Sequence, residues 1–187
     1  MPTATTRVVR WTIISFIAAA ALVWGANALL VGRPINSALG DDPRNTTYTL
    51  RGHYGWYLNT SSLVVDLIKV GDVAPADLMR GLFQSAKAMH DAGRKFDRVF
   101  LARSGNSVYL MTGSDFEELG KSFGEGENPI YLIRTLPEKL TYPDGTPAFD
   151  RWEGGLLGVL ARQMADANKA ASSWASGTSS HGHAGSD

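Results

Sequence analysis

The sequence predicts an α+β domain carried behind a single apolar helix. Three observations lead there. Residues 11–31 read WTIISFIAAAALVWGANALLV and contain no charge. Between residues 48 and 135, β-branched and aromatic stretches of period two alternate with stretches of helical period. Prolines, glycines and serines stand at the boundaries between them, where turns and caps need them.

At 1.5 Å per residue, about 20 apolar residues cross the hydrocarbon core of a bilayer, and only a helix satisfies its own backbone there. Residues 11–31 meet that length and are expected to form a transmembrane helix. Arg7 and Arg10 precede it, whereas Arg33 is followed by Asp41 and Asp42. The basic bias places residues 1–10 in the cytoplasm and the remaining chain outside it, anchored in the inner (plasma) membrane. The alternative is a secretory signal cleaved near Ala28, because Ala26-Asn27-Ala28 offers small residues. The apolar run continues past that point through Leu29, Leu30 and Val31, which favours the uncleaved anchor.

Residues 32–46 are polar, with two prolines and two glycines, and read as a linker. Residues 47–171 read as the soluble domain, and the Ser/Gly/His-rich residues 172–187 as a disordered tail. Tyr48, Leu50, Tyr54, Trp56 and Leu58 share one parity, as in a half-buried strand. LVVDLIKV at 63–70 is a second strand, stopped by Gly71-Asp72. Pro75 opens a helix whose face carries Leu78, Met79, Leu82, Phe83, Ala86 and Met89, and Gly93 ends it. Arg98–Arg103 and Ser107–Thr112 form a hairpin across Ser104-Gly105-Asn106. Ser114 and Glu117 have the spacing of a capping box for a short helix through Phe116, Leu119 and Phe123. PIYLIRT at 129–135 reads as a strand, and a last helix starts near Asp150, with Glu153 three residues on.

From Leu63 to Thr135 this order is βαββαβ, the ferredoxin-like arrangement of two helices on a four-stranded antiparallel sheet. The strand at 48–58 would extend one edge, and the C-terminal helix would follow.

Composition narrows function. The 187 residues contain no cysteine, which removes disulfides, thiolate metal sites and a cysteine nucleophile. Eighteen basic and eighteen acidic residues balance, which argues against nucleic acid as a partner. No cofactor or metal site is expected: His181 and His183 stand alone on the tail. Ser104 lacks a G-x-S-x-G frame and sits in a hairpin turn, where serine is ordinary. Neither His53 nor His90 has a nucleophile at a telling spacing. Asp66, inside an apolar strand, is the one acid with a functional look, unless it pairs with Arg103 or Arg134. The connection 136–150 is long and has three prolines; Tyr142, Asp144 and Phe149 on it, with Arg134 and Arg103, are candidates for binding a partner. The expectation is therefore a single-pass, extracytoplasmic interaction module, an accessory or assembly subunit contacting lipid through its helix and a protein in the same membrane. The alternatives are a membrane-tethered hydrolase built from His53, Ser104 and Asp66, and a small-ligand sensor with a pocket between sheet and helices.

Overall fold

The structure, a computed structural model, describes residues 4–153 and 156–178. It is an N-terminal apolar helix followed by a mixed α+β domain with one four-stranded sheet. Helix α1 (Ala4–Asn27) runs through a π turn (Ala28–Gly32) into α2 (Arg33–Gly40) without a break in the helix. The π turn has a local cause. Pro34 has no N–H to give to the carbonyl of Leu30, and its ring crowds that carbonyl, so the helix widens just before it.

Residues expected to be a linker are thus mostly helical. Ile35 and Leu39, one turn apart on α2, are buried in the core with Val31. A short 3-10 turn (Pro43–Thr47) completes the connection. Asp42 holds it against the domain by accepting from Arg44 and from Gln84 Nε2, the latter at 2.9 Å. Asn45 donates to the Leu39 carbonyl and to Gln84 Oε1. The Arg44 guanidinium and amide hold the Asp42 carboxyl far below the usual carboxylate range.

The domain proper comprises β1 (Tyr48–Gly55), β2 (Asn59–Val70), α3 (Pro75–Asp91), β3 (Arg98–Arg103), β4 (Asn106–Thr112), α4 (Gly113–Gly124), α5 (Pro129–Thr135), a 3-10 turn (Leu136–Lys139) and α6 (Leu156–Ser176). The strands lie in sequence order; β1–β2 and β3–β4 pair antiparallel and β2–β3 parallel. The central parallel pair follows from α3, whose crossover returns the chain in the same direction.

This corrects the ferredoxin-like expectation. Residues 129–135 are helix α5, so there is no fourth strand in βαββαβ order and the sheet is not all antiparallel. Asn128 accepts from the Ile130 amide at 2.9 Å, and Pro129 occupies the first turn, where it gives up no needed hydrogen bond. The cap of α4 also moves: Thr112, not Ser114, accepts from the Asp115 amide. The described part of helix α6 begins at Leu156, directly after residues 154–155, which lie outside the described part; Asp150–Glu153, proposed as its cap, are not helical. It continues to Ser176, with Trp174 buried and donating to the Ala102 carbonyl at 2.8 Å, so residues 172–176 are helical. His181 and His183 lie outside the described residues.

One face of the sheet builds the core. Leu50 and Tyr54, Leu63, Val65 and Leu67, Val99 and Leu101, and Tyr109 and Met111 are buried there against Leu78, Leu82 and Phe83 of α3, Phe116 of α4, and Ala170 and Trp174 of α6. Gly52 falls on this face because the helix crosses the strand there. A Cβ on Gly52 would stand 2.3 Å from Ile35 Cδ1 and 3.0 Å from Val31 Cγ1. Each sheet edge is engaged at one point, which occupies strand groups there that would otherwise be free to pair with another chain. Asn27 Oδ1 accepts from the Tyr54 amide at 2.8 Å on the β1 side. Leu110 and Thr141 exchange two 2.8 Å backbone bonds on the β4 side.

Candidate functional site

The sequence-nominated residues are spread over four places. Arg103 lies at the tip of the β3–β4 hairpin, and Asp66, on the neighbouring β2, reaches its turn. Ser104 (φ 49°) and Gly105 (φ 85°) make its two-residue turn with positive φ at both positions, as a type I′ turn requires. Asp66 is buried and accepts from the Gly105 amide at 2.9 Å, while its other oxygen has no partner. Arg103 donates to the carbonyls of Leu67, Ile68 and Ala175 and to the Ser104 hydroxyl, tying α6 to the sheet. Asp66 therefore meets a backbone amide in place of either arginine considered for it.

Arg134 lies on α5, where it donates to Gln163 of α6 at 2.5 Å and stands over the Tyr131 ring. Tyr142 and Phe149 flank Tyr109, with ring centroids 6.1 and 5.8 Å away, and are packed against the core. Asp144 accepts from the amide and hydroxyl of Thr146, shaping the turn it belongs to. His53 stacks on Tyr57 at 4.4 Å, and its Nδ1 lies 2.8 Å from the Tyr54 carbonyl. Among the described residues no hydrogen bond joins any two of His53, Asp66 and Ser104, and no cluster of three metal-ligating side chains occurs. The void between sheet and helices, bounded by Leu82, Leu101, Tyr109 and Trp174, measures about 10 Å³. That is barely the space of one water.

Two open grooves carry charged or aromatic side chains of interest. The first lies between α4 and α5, where Lys139 bridges Asp115 (2.8 Å) and Glu118 (2.9 Å), with Arg151 and Tyr131 on its walls. Burial alone would lower the Lys139 pKa, but the two carboxylates outweigh it and raise it. Burial likewise opposes the charge on Asp115, yet Lys139 and Thr112 hold its carboxyl below the ordinary value. Both charges are satisfied by each other, and this is a clamp between α4 and the 3-10 turn.

The second groove, about 690 Å³, lies between the end of α1, α2 and β1. Trp24, Asn27, Arg33, Arg51, His53 and Tyr57 line it. Among the described residues neither Arg33 nor Arg51 forms an ion pair. Asn27 organises one end: Nδ2 donates to the Tyr57 carbonyl at 2.7 Å, while Oδ1 receives the Tyr54 amide. The sequence reading passed over Asn27, Arg33 and Arg51. A signal was present in Asn27, one of three polar residues in an apolar run, since a polar group there needs a partner.

Comparison with known proteins found no family model, no curated protein and no solved structure that matches the chain. The chain has one candidate membrane-spanning helix near its N-terminus, with the α+β domain outside it, consistent with a single-pass topology. Only 6% of the most apolar window of that helix is buried, unlike the core helix of a water-soluble protein.

Proposed function

We propose that this protein is a single-pass, membrane-anchored interaction module, whose domain stands outside the cytoplasm and binds a protein in the same membrane. The observation that carries this reading is the sheet face opposite the helices. Val64, Phe100 and Leu110 on that face are only half-buried, with Arg98 exposed beside them. Arg98 stands over the Phe100 ring at 6.0 Å. A half-buried apolar centre with an arginine at its rim has the composition of a protein contact. The basic residues Arg7 and Arg10 before the helix support a cytoplasmic N-terminus.

The uncleaved state is supported by the way α1 enters the domain. Cleavage near Ala28 would remove Asn27 and with it the hydrogen bonds to Tyr54 and Tyr57. The test places a photocrosslinking amino acid at Phe100 or Leu110 in the full chain in its native membrane, with Lys121 on α4 as the control position. A discrete crosslinked protein at 100 or 110 and none at 121 is expected. Equal, diffuse crosslinking at all three positions overturns the reading.

A further inference from the structure

The β1–β2 turn carries three exposed apolar side chains in a row: Trp56 (92% exposed), Tyr57 (46%) and Leu58 (70%). Its backbone makes that choice costly. Trp56 has φ 49° and Tyr57 φ 60°, and the Leu58 amide donates to the Gly55 carbonyl at 3.1 Å. Two central residues with positive φ are the places for Asn and Gly; bulky aromatics there are strained. Strain held in an exposed turn, together with a large loss of apolar surface to water, points to a function outside the fold itself.

The turn is also fixed in height. Asn27 grips the Tyr57 carbonyl, so the tip lies beside the end of the apolar helix, with exposed Trp24 one turn below. From Arg10 to Asn27 the helix rises about 26 Å, close to the hydrocarbon thickness of about 30 Å. Beyond Asn27 the helix enters the domain, where Val31 and Gly32 are buried. The membrane boundary therefore falls at the level of the tip, where tryptophan and tyrosine are favoured. Arg33 and Arg51, in the groove just above, stand at the depth of lipid phosphates.

We propose that Trp56, Tyr57 and Leu58 insert into the interface of the leaflet through which α1 exits, with Arg33 and Arg51 facing its phosphates. The tip is a second membrane contact beside the helix. This rests on the membrane-anchor reading.

The chain has no cysteine, so Leu58→Cys creates a unique labelling site. The full chain carrying a nitroxide there is reconstituted in vesicles of phosphatidylcholine and phosphatidylglycerol, with Lys121→Cys as the control. Collision with a water-soluble nickel chelate should be several-fold lower at position 58 than at 121, and collision with oxygen higher. Equal nickel access at the two positions, in protein that floats with the vesicles, overturns the inference and leaves the anchor standing. Protein that does not float with the vesicles overturns both. A second variant, Trp56→Asn with Tyr57→Gly, suits the same backbone turn better and should keep the fold. It should restore nickel access at position 58; continued shielding would overturn the role given to the aromatics. Arg33→Gln with Arg51→Gln should weaken the shielding more in mixed vesicles than in pure phosphatidylcholine, and no change in either lipid would overturn their part.

Discussion

Asn27→Ala is the sharpest test of how the helix and the domain are joined. Asn27 is buried and makes three hydrogen bonds: to the Val23 carbonyl at 2.9 Å, to the Tyr57 carbonyl at 2.7 Å and from the Tyr54 amide at 2.8 Å. Alanine keeps the helix and removes all three. The Tyr54 amide lies at the sheet edge under the helix and would lose its acceptor without gaining water. An orphaned buried group costs about 1–3 kcal/mol, and a lost partially exposed bond about 1 kcal/mol. With one orphaned amide and two lost bonds, the expected destabilisation is therefore about 3–5 kcal/mol, a large share of a total of about 5–15 kcal/mol. Urea unfolding of the full chain in detergent micelles reads this, with a midpoint shift of about 1.5–2.5 M for a slope of about 2 kcal/mol/M. Hydrogen exchange should quicken at Tyr54 and Leu58 before it does at Leu101. A stability change below about 0.5 kcal/mol, with Tyr54 protection unchanged, would show that Asn27 does not couple helix to sheet.

Three other outcomes follow from the packing. Phe83 is 1% exposed and packs against Phe123, so Phe83→Ala should cost about 3–5 kcal/mol in the same unfolding assay. At the β3–β4 turn, Ser104→Ala should alter stability by less than about 0.5 kcal/mol and leave crosslinking at Phe100 intact. Gly105→Val should cost far more, because Gly105 has φ 85° and a β-branched residue is strained there. Burial pushes the Tyr48 hydroxyl up to about 12 from an ordinary 10.0. Its raised value favours the folded state below pH 10, and that contribution is lost as pH rises through about 12. Alkaline titration of stability should show the loss, and Tyr48→Phe should flatten it; an unchanged profile in that variant would assign the loss elsewhere.

Local sequence accounts for much of this protein. The charge-free run at 11–31 exceeds what a small core buries, so it reads as a span from length alone. Leu78, Leu82 and Phe83 recur at helical spacing, and α3 buries them. The β3–β4 hairpin was legible because glycine tolerates positive φ at low cost, but its loop is the two residues Ser104-Gly105, with Asn106, in β4, already paired to Arg103. Residues 129–135 were not legible, because PIYLIRT is short, β-branched and aromatic, and suits a strand by propensity. Asn128 and Pro129 outweigh that propensity by capping a helix, and Leu132 is then buried in the core.

Other features depend on contacts between residues far apart in the chain. Residues 33–40 look polar, yet Ile35 and Leu39, four apart, are drawn into the core once Gly52 lets the helix approach β1. The placing of Trp56, Tyr57 and Leu58 beside the end of α1 comes from Asn27, some thirty residues earlier, whose side chain reaches the tip. A polar group at the end of an apolar helix must find a partner, and sequence states that need without naming the partner. Tertiary structure names it, because only folding brings the edge of β1 within 2.8 Å of that side chain.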